Sequence, residues 1–329
     1  MSFRRVIAAF DGSPPAEDAL SLALRFLDPD GGALTLACVV SGRHWQLGAH
    51  VQRPDAVVPD EIAFVLADAR DRAVPPGIRV RQRAPVAPSP ARGLTELAEQ
   101  EGADLVVIGS SRHAEPGRIG LERTAGRLLE GAPCAVAVAP GGLRETEAFH
   151  HVGVAYDGSP EAQAAVLAGY DIAVRSRAAL TLLYALPENA SETAGRAAAL
   201  EAQEQLDAAA DAAPAGVNPR TVVLYGPPGQ AIRDACDGVV DLLVTGSRGD
   251  GPMQRALLGS VSEALTDGAR HPVLVLPSSS AHACAPPSPK TLTTLRAPMA
   301  GGLESCTDMA RTLGPRRTSH IGRGHSTRP

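Results

Sequence analysis

Two kinds of segment alternate along this chain. Short apolar runs rich in Val, Ile and Leu, such as Val6-Ile7-Ala8-Ala9, Leu105-Val106-Val107-Ile108 and Leu242-Leu243-Val244, are followed by longer Ala/Leu-rich stretches broken by Glu, Asp and Arg. The short runs are continuously apolar rather than alternating, which predicts strands covered on both faces. The longer stretches have the length and composition of helices. Strand and helix in regular alternation predict parallel βαβ units and a doubly wound α/β fold.

The alternation also repeats. FDGSP at Phe10 to Pro14 returns as YDGSP at Tyr156 to Pro160, and ALTLACVV at Ala33 to Val40 returns as ALTLLYAL at Ala179 to Leu186. GADLVVIGSSR (Gly102 to Arg112) matches VVDLLVTGSRG (Val239 to Gly249), and APCAVAVAP (Ala132 to Pro140) matches RHPVLVLP (Arg270 to Pro277). Matched elements in one order imply a duplicated unit. We therefore divide the chain into a first domain over 1–140, a short polar linker over 141–150, a second domain over 151–277 and a tail over 278–329. Ser41 to Pro59 has no counterpart in the second half and holds the only Trp, Trp45; it reads as an inserted surface loop.

Charge and composition narrow the classes. The chain carries a net −5, but the tail has seven Lys or Arg against two Asp or Glu, so the body is at −10. An acidic body argues against a nucleic-acid partner. The tail is rich in Pro, Ser, Thr, Gly and Arg and lacks periodicity, so we expect a disordered, solvated extension. No apolar run approaches a membrane span, and the apolar run after MSFRR is too short for a signal peptide. A cytoplasmic protein with no membrane partner is expected. Cys38, Cys134, Cys236, Cys284 and Cys306 are widely spaced with no CxxC pair, which suits reduced thiols rather than a metal site.

Candidate chemistry lies at the strand ends, where open parallel sheets bind ligands. In YDGSP, Asp157 ends a strand, Gly158 permits a turn, and Ser159-Pro160 suits the start of a helix. Asp157 is placed to accept hydrogen bonds from ribose hydroxyls or an adenine amino group. The second motif is Gly246, Gly249, Gly259 and Ser260, with spacing G-x₂-G-x₉-G-S. Glycines let backbone amides approach an anion closely, and Gly259-Ser260 opens a helix whose free amides favour phosphate. Arg248, between the first two glycines, either caps the phosphates or points to solvent. The first half keeps Asp11 and Gly109 but has Arg112 at the second glycine. Without gaps, Glu122 and Arg123 replace the Gly-Ser pair; a shift of two residues recovers Gly120 but leaves Leu121 after it. Either register lacks the hydroxyl, so the first half reads as a degenerate nucleotide site, with Arg112 and Arg123 leaving open another way to hold an anion.

These motifs resemble the universal stress proteins in their tandem two-domain form, over residues 3–140 and 150–277. The resemblance rests most specifically on Gly246, Gly249, Gly259 and Ser260, then on Asp157 and on Thr245 before the first of those glycines. It implies a five-stranded parallel sheet with flanking helices in each domain. It implies binding of ATP or a related adenine nucleotide, and pairing of the domains through their last strands, Cys134 to Val138 and Val273 to Leu276. That makes an intramolecular pseudo-dimer, with a homodimer of chains open as well. A regulatory role in stress tolerance is implied rather than a metabolic one.

On this reading the nucleotide contacts are Ala155, Asp157, Thr245, Gly246, Arg248, Gly249, Gly259, Ser260 and Val261, with no catalytic residue and no protein-held metal. AMP and cyclic AMP share the adenosine half of such a site, and Mg²⁺ would come through the phosphates. The competing readings are a low-turnover ATP-hydrolysing enzyme and a partner-binding protein with vestigial pockets. A P-loop ATPase needs GxxxxGK[ST], and the sole lysine, Lys290, is in the tail. Because no repeat element lies beyond Pro277, deleting 278–329 should leave thermal unfolding and nucleotide binding unchanged. A truncated chain that fails to fold would refute that boundary.

Overall fold

The computed structural model describes residues 3–41, 60–143, 148–188, 192–247 and 259–277. Nearly all of the insertion, Trp45 included, and the whole tail lie outside the described residues. The first half runs β1 (Arg5–Ala9), α1 (Pro14–Phe26), β2 (Ala33–Ala37), α2 (Asp60–Ala73), β3 (Arg79–Arg83), α3 (Pro90–Glu101), β4 (Leu105–Gly109), α4 (Arg123–Gly131) and β5 (Ala135–Ala139). The second repeats it as β6 (His151–Ala155), α5 (Pro160–Ser176), β7 (Ala179–Leu186), α6 (Glu192–Asp211), β8 (Arg220–Tyr225), α7 (Pro228–Cys236), β9 (Leu242–Gly246), α8 (Ser260–Thr266) and β10 (Val273–Leu276).

Within each half all pairings are parallel, in the orders β3-β2-β1-β4-β5 and β8-β7-β6-β9-β10. The order reverses between β1 and β4, and again between β6 and β9, which opens one crevice per half at the strand C-termini. The two sheets are not separate. β5 pairs antiparallel with β10, Val138 opposite Val273 and Val136 opposite Val275, giving one ten-stranded sheet. The first half's last strand ends at Ala139, one residue beyond the expected Val138.

Continuously apolar strands need cover on both faces, and the helices supply it. On one face α1, α2, α5 and α6 bury Leu20, Phe26, Leu66, Tyr170 and Leu206; on the other α3, α4, α7 and α8 bury Leu94, Leu128, Ile232 and Leu265. Each core runs across both halves. Burial pushes the thiols of Cys134 and Cys236 up to about 12, so both stay protonated and unreactive at neutral pH. Cys284 and Cys306 lie outside the described residues.

The join is more than a strand pair. Loop residues before α4 dock on the turn after α8: Ile119 N–H donates to Ala269 O and Gly268 N–H to Ile119 O, both at 2.7 Å. Arg118 donates to Gly268 O at 2.7 Å and Leu121 N–H to Asp267 Oδ1 at 3.1 Å. The polar linker also carries an anchor. Phe149 is 1% exposed and lies 5.1 Å from Phe26, with the Arg25 guanidinium 4.0 Å over its ring.

Expressed alone, residues 1–140 should self-associate or precipitate, since β5 would become an open apolar edge. Size-exclusion chromatography with light scattering checks this, and a stable monomer would contradict it.

Candidate functional site

The second-half crevice is built from the ends of β6, β7 and β9 and the starts of α5, α7 and α8. Its volume is about 140 Å³, and it is lined among others by Ala155, Asp157, Thr245, Gly246 and Val261. The sequence reading had named these five; the structure brings them together. Ile232, Ala185 and Pro228 also line it. They were missed because they stand in ordinary helix and strand pattern, with no motif to mark them.

Asp157 is exposed and accepts one local bond, from Ser159 N–H at 3.0 Å. Among the described residues it has no ion pair. Ser159, 1% exposed, caps α5 by accepting Ala162 N–H at 3.1 Å, with Pro160 in the first turn. The expected structural role of Ser159-Pro160 is therefore the one it has. Gly158 sits at φ +82°, and a Cβ there would stand 2.6 Å from Gln205 Oε1 of α6. That oxygen is buried with no partner among the described residues, so an unsatisfied acceptor lies beside the Asp157 turn. Burial, and then the Asp157 charge, push the neighbouring Tyr156 hydroxyl above its usual value.

The glycine motif divides into parts with different physical reasons. Gly246 is buried against α5: a Cβ would come within 2.7 Å of Glu161 Cβ and 2.9 Å of its carbonyl carbon. Close strand–helix packing therefore requires this glycine whether or not an anion binds. Gly259 has an ordinary φ of −59° at the N-cap of α8, and its N–H is already given to Ser247 O at 2.9 Å. Ser260 is the first helical residue and exposed. Thr245 and Ser262 are buried, and both hydroxyls donate to Gly246 O, at 3.2 and 2.7 Å. Arg248 and Gly249 lie outside the described residues.

The first half shows how the same backbone is filled differently. Its crevice is about 420 Å³. Asp11 is bridged by Arg112 at 2.7 Å and accepts both the N–H and the hydroxyl of Ser13. Burial raises the Asp11 carboxyl, but Ser13 and Arg112 outweigh it and hold the group below 3.8. Glu122 is the N-cap residue of α4 and Gly259 that of α8, each the same distance beyond its strand-end glycine, Gly109 or Gly246. The ungapped register is thus the structural one, and Glu122 occupies the Gly259 position. Its carboxylate accepts the Ser111 hydroxyl. Gly120, the alternative in the shifted register, instead accepts Ser111 N–H within the loop. Gly109 repeats the packing role, since a Cβ would lie 1.9 Å from Pro15 O.

A duplicated, doubly wound α/β protein with one strand-end crevice per half is the class this geometry defines. The sequence profile of the Universal stress protein family matches residues 2–140 and 148–277. The chain belongs to the universal stress protein family, whose members are stress-response proteins. A curated universal stress protein of Mycobacterium tuberculosis is 25% identical over 139 residues, covering 41% of this chain and 90% of that relative. A universal stress protein from Archaeoglobus fulgidus superposes with a TM-score of 0.59 at 18% identity, over 84% of this chain and 99% of that one. A Pseudomonas aeruginosa chain gives 0.58 at 18%, over 84% and 94%. At such identities the superpositions establish the fold alone. Among the described residues no helix is long and apolar enough to cross a membrane, and no cluster of His, Cys, Asp and Glu has metal-binding form.

The Asp11–Arg112 bridge gives a pH prediction. A depressed carboxyl contributes its stability above 3.8 and loses it as pH falls through the lower folded value. Both side chains are more than half exposed, 52% and 62%, so the pair is worth at most about 1 kcal/mol. In Arg112→Ala the Asp11 titration, followed by carboxyl NMR, should move up, and the stability gap to the parent should close in acid. An unmoved titration would refute the bridge.

Proposed function

We propose that this chain is a stress-response regulatory protein that binds one adenine nucleotide, ATP in the first instance, in its second-half crevice. The observation that carries the reading is the contrast between the two strand-end carboxylates. Asp157 has no ion pair among the described residues, whereas Asp11 is bridged by Arg112. An open carboxylate beside a crevice with Ala155, Ile232 and Val261 in its walls suits the ribose and base of a nucleoside.

Size supports a division of labour within the site. A pocket of about 140 Å³ is below the roughly 300–1,000 Å³ of pockets that engulf a whole drug-sized ligand. The base would sit in this pocket and the phosphates would lie at its rim, by Gly259 and Ser260. The first turn of α8 offers helix amides and the Ser260 hydroxyl to a negative group. Any Mg²⁺ would be held through the phosphates. Among the described residues that line the crevice the ionisable side chains are Tyr156 and Asp157, a set suited to holding a ligand. Binding and signalling, with turnover slow or nil, is the function we assign.

Calorimetry with ATP tests it. The parent should bind one ATP per chain. Ser260→Ala removes a hydrogen bond to a charged phosphate, worth about 1.5–3 kcal/mol, and should weaken binding about 10- to 100-fold. Asp157→Ala should weaken it by at least as much, while Asp11→Ala leaves it unchanged. A parent that binds neither ATP, AMP nor cyclic AMP, or a Ser260→Ala chain as tight as the parent, would refute the assignment.

A further inference from the structure

The larger crevice is the one that the sequence marks as degenerate. At about 420 Å³ the first-half crevice is within the size range of small-molecule sites. Its walls are also those of the second-half site. By strand register and helix position, Val39 answers to Ala185, Leu94 to Ile232 and Thr124 to Val261, and all six line their crevices. The part of the site that would enclose a base is therefore present in both halves.

The difference is confined to the part that would meet a phosphate. Where the second half presents Gly259, the first presents Glu122, whose carboxylate faces the Ser111 hydroxyl and has no ion pair among the described residues. Where Asp157 has no ion pair among the described residues, Arg112 neutralises Asp11. Among the described lining residues Asp11 and Arg112 pair with each other, while the Glu122 carboxylate has no ion pair and stands where the second half presents Gly259. A ligand phosphate would meet that charge in a partly desolvated cleft, where like charges repel strongly. An uncharged ligand would not.

The geometry points to a second binding site in the first half, for a phosphate-free nucleoside. This rests on the nucleotide reading of the second half for the nature of the base slot, and on Glu122 for the exclusion of phosphate. By the same correspondence the ribose hydroxyls would face the Asp11–Arg112 pair, where Asp11 answers to Asp157. One chain would thus hold a nucleotide and a nucleoside in homologous crevices, joined by the Ile119–Ala269 contact between the halves.

The full-length chain carrying Asp157→Ala isolates the first crevice, and adenosine and ATP are the probes, titrated by calorimetry. Adenosine should bind once per chain and ATP at least tenfold more weakly. Adding Thr124→Trp, which places a ring in the crevice from the half-buried first turn of α4, should weaken adenosine at least tenfold. Adding Glu122→Gln instead removes the charge without changing size and should strengthen ATP at least tenfold while leaving adenosine unchanged. The proposal is overturned if adenosine gives no heat up to millimolar concentration, if Thr124→Trp binds it undiminished, or if Glu122→Gln leaves ATP as weak as before. Failure of the second-half assignment is read separately, as ATP binding equally tight in the parent and in Asp157→Ala.

Discussion

The arrangement depends on the antiparallel pairing of β5 with β10. Each half ends on a short apolar strand, AVAVA in one and VLVL in the other, all of it buried. Left open, each would be an edge with unpaired backbone groups and no charged side chain to block association. Pairing them satisfies both edges at once and makes a single sheet, so both cores extend across the molecule. It also puts the two crevices in a fixed relation. The loop that lines the first, through Arg118, Ile119 and Leu121, is hydrogen-bonded to the turn that ends α8, and the other end of α8 lines the second.

Duplication then allowed the halves to diverge without disturbing the fold. The glycines that pack strand against helix, Gly109 and Gly246, are kept in both because a Cβ in either place meets backbone. Placing one there would be overpacking, which costs about 1–3 kcal/mol or more. Residues that face the crevice are under no such constraint. Arg112 and Glu122 sit at the surface of the first half, supported by Asp11 and Ser111, and alter the charge of the cleft while the backbone stays the same. The family to which the chain belongs fixes the architecture; in the function we propose, these few side chains set the ligand of each half.

Much of the fold was legible because its signals are local and periodic. Continuous Val/Ile/Leu runs marked buried strands, the repeated DGSP marked two helix starts, and the matched order of elements marked the duplication. The strand-end site residues were legible for the same reason, since they lie in repeated motifs. Other features were not. Phe149 stands in a polar segment whose composition conceals a core anchor. Pro228 and Ile232 reach the crevice from a helix with no motif, and only the winding of the sheet brings them there. The motif also hid a second constraint on Gly246, since a Cβ there would meet the backbone of Glu161 whether or not an anion binds. Register at Glu122 was open in the sequence, because glycine spacing alone allowed two alignments, and helix position decided between them.

If the two crevices are unequal towards a nucleotide, with the second half holding it, hydrogen–deuterium exchange with and without saturating ATP will separate them by position. Exchange should slow over Ser260–Thr266 and around Asp157, with Arg123–Gly131 and the turn at Asp11 unchanged. Equal protection of α4 and α8, or protection confined to α4, would contradict it.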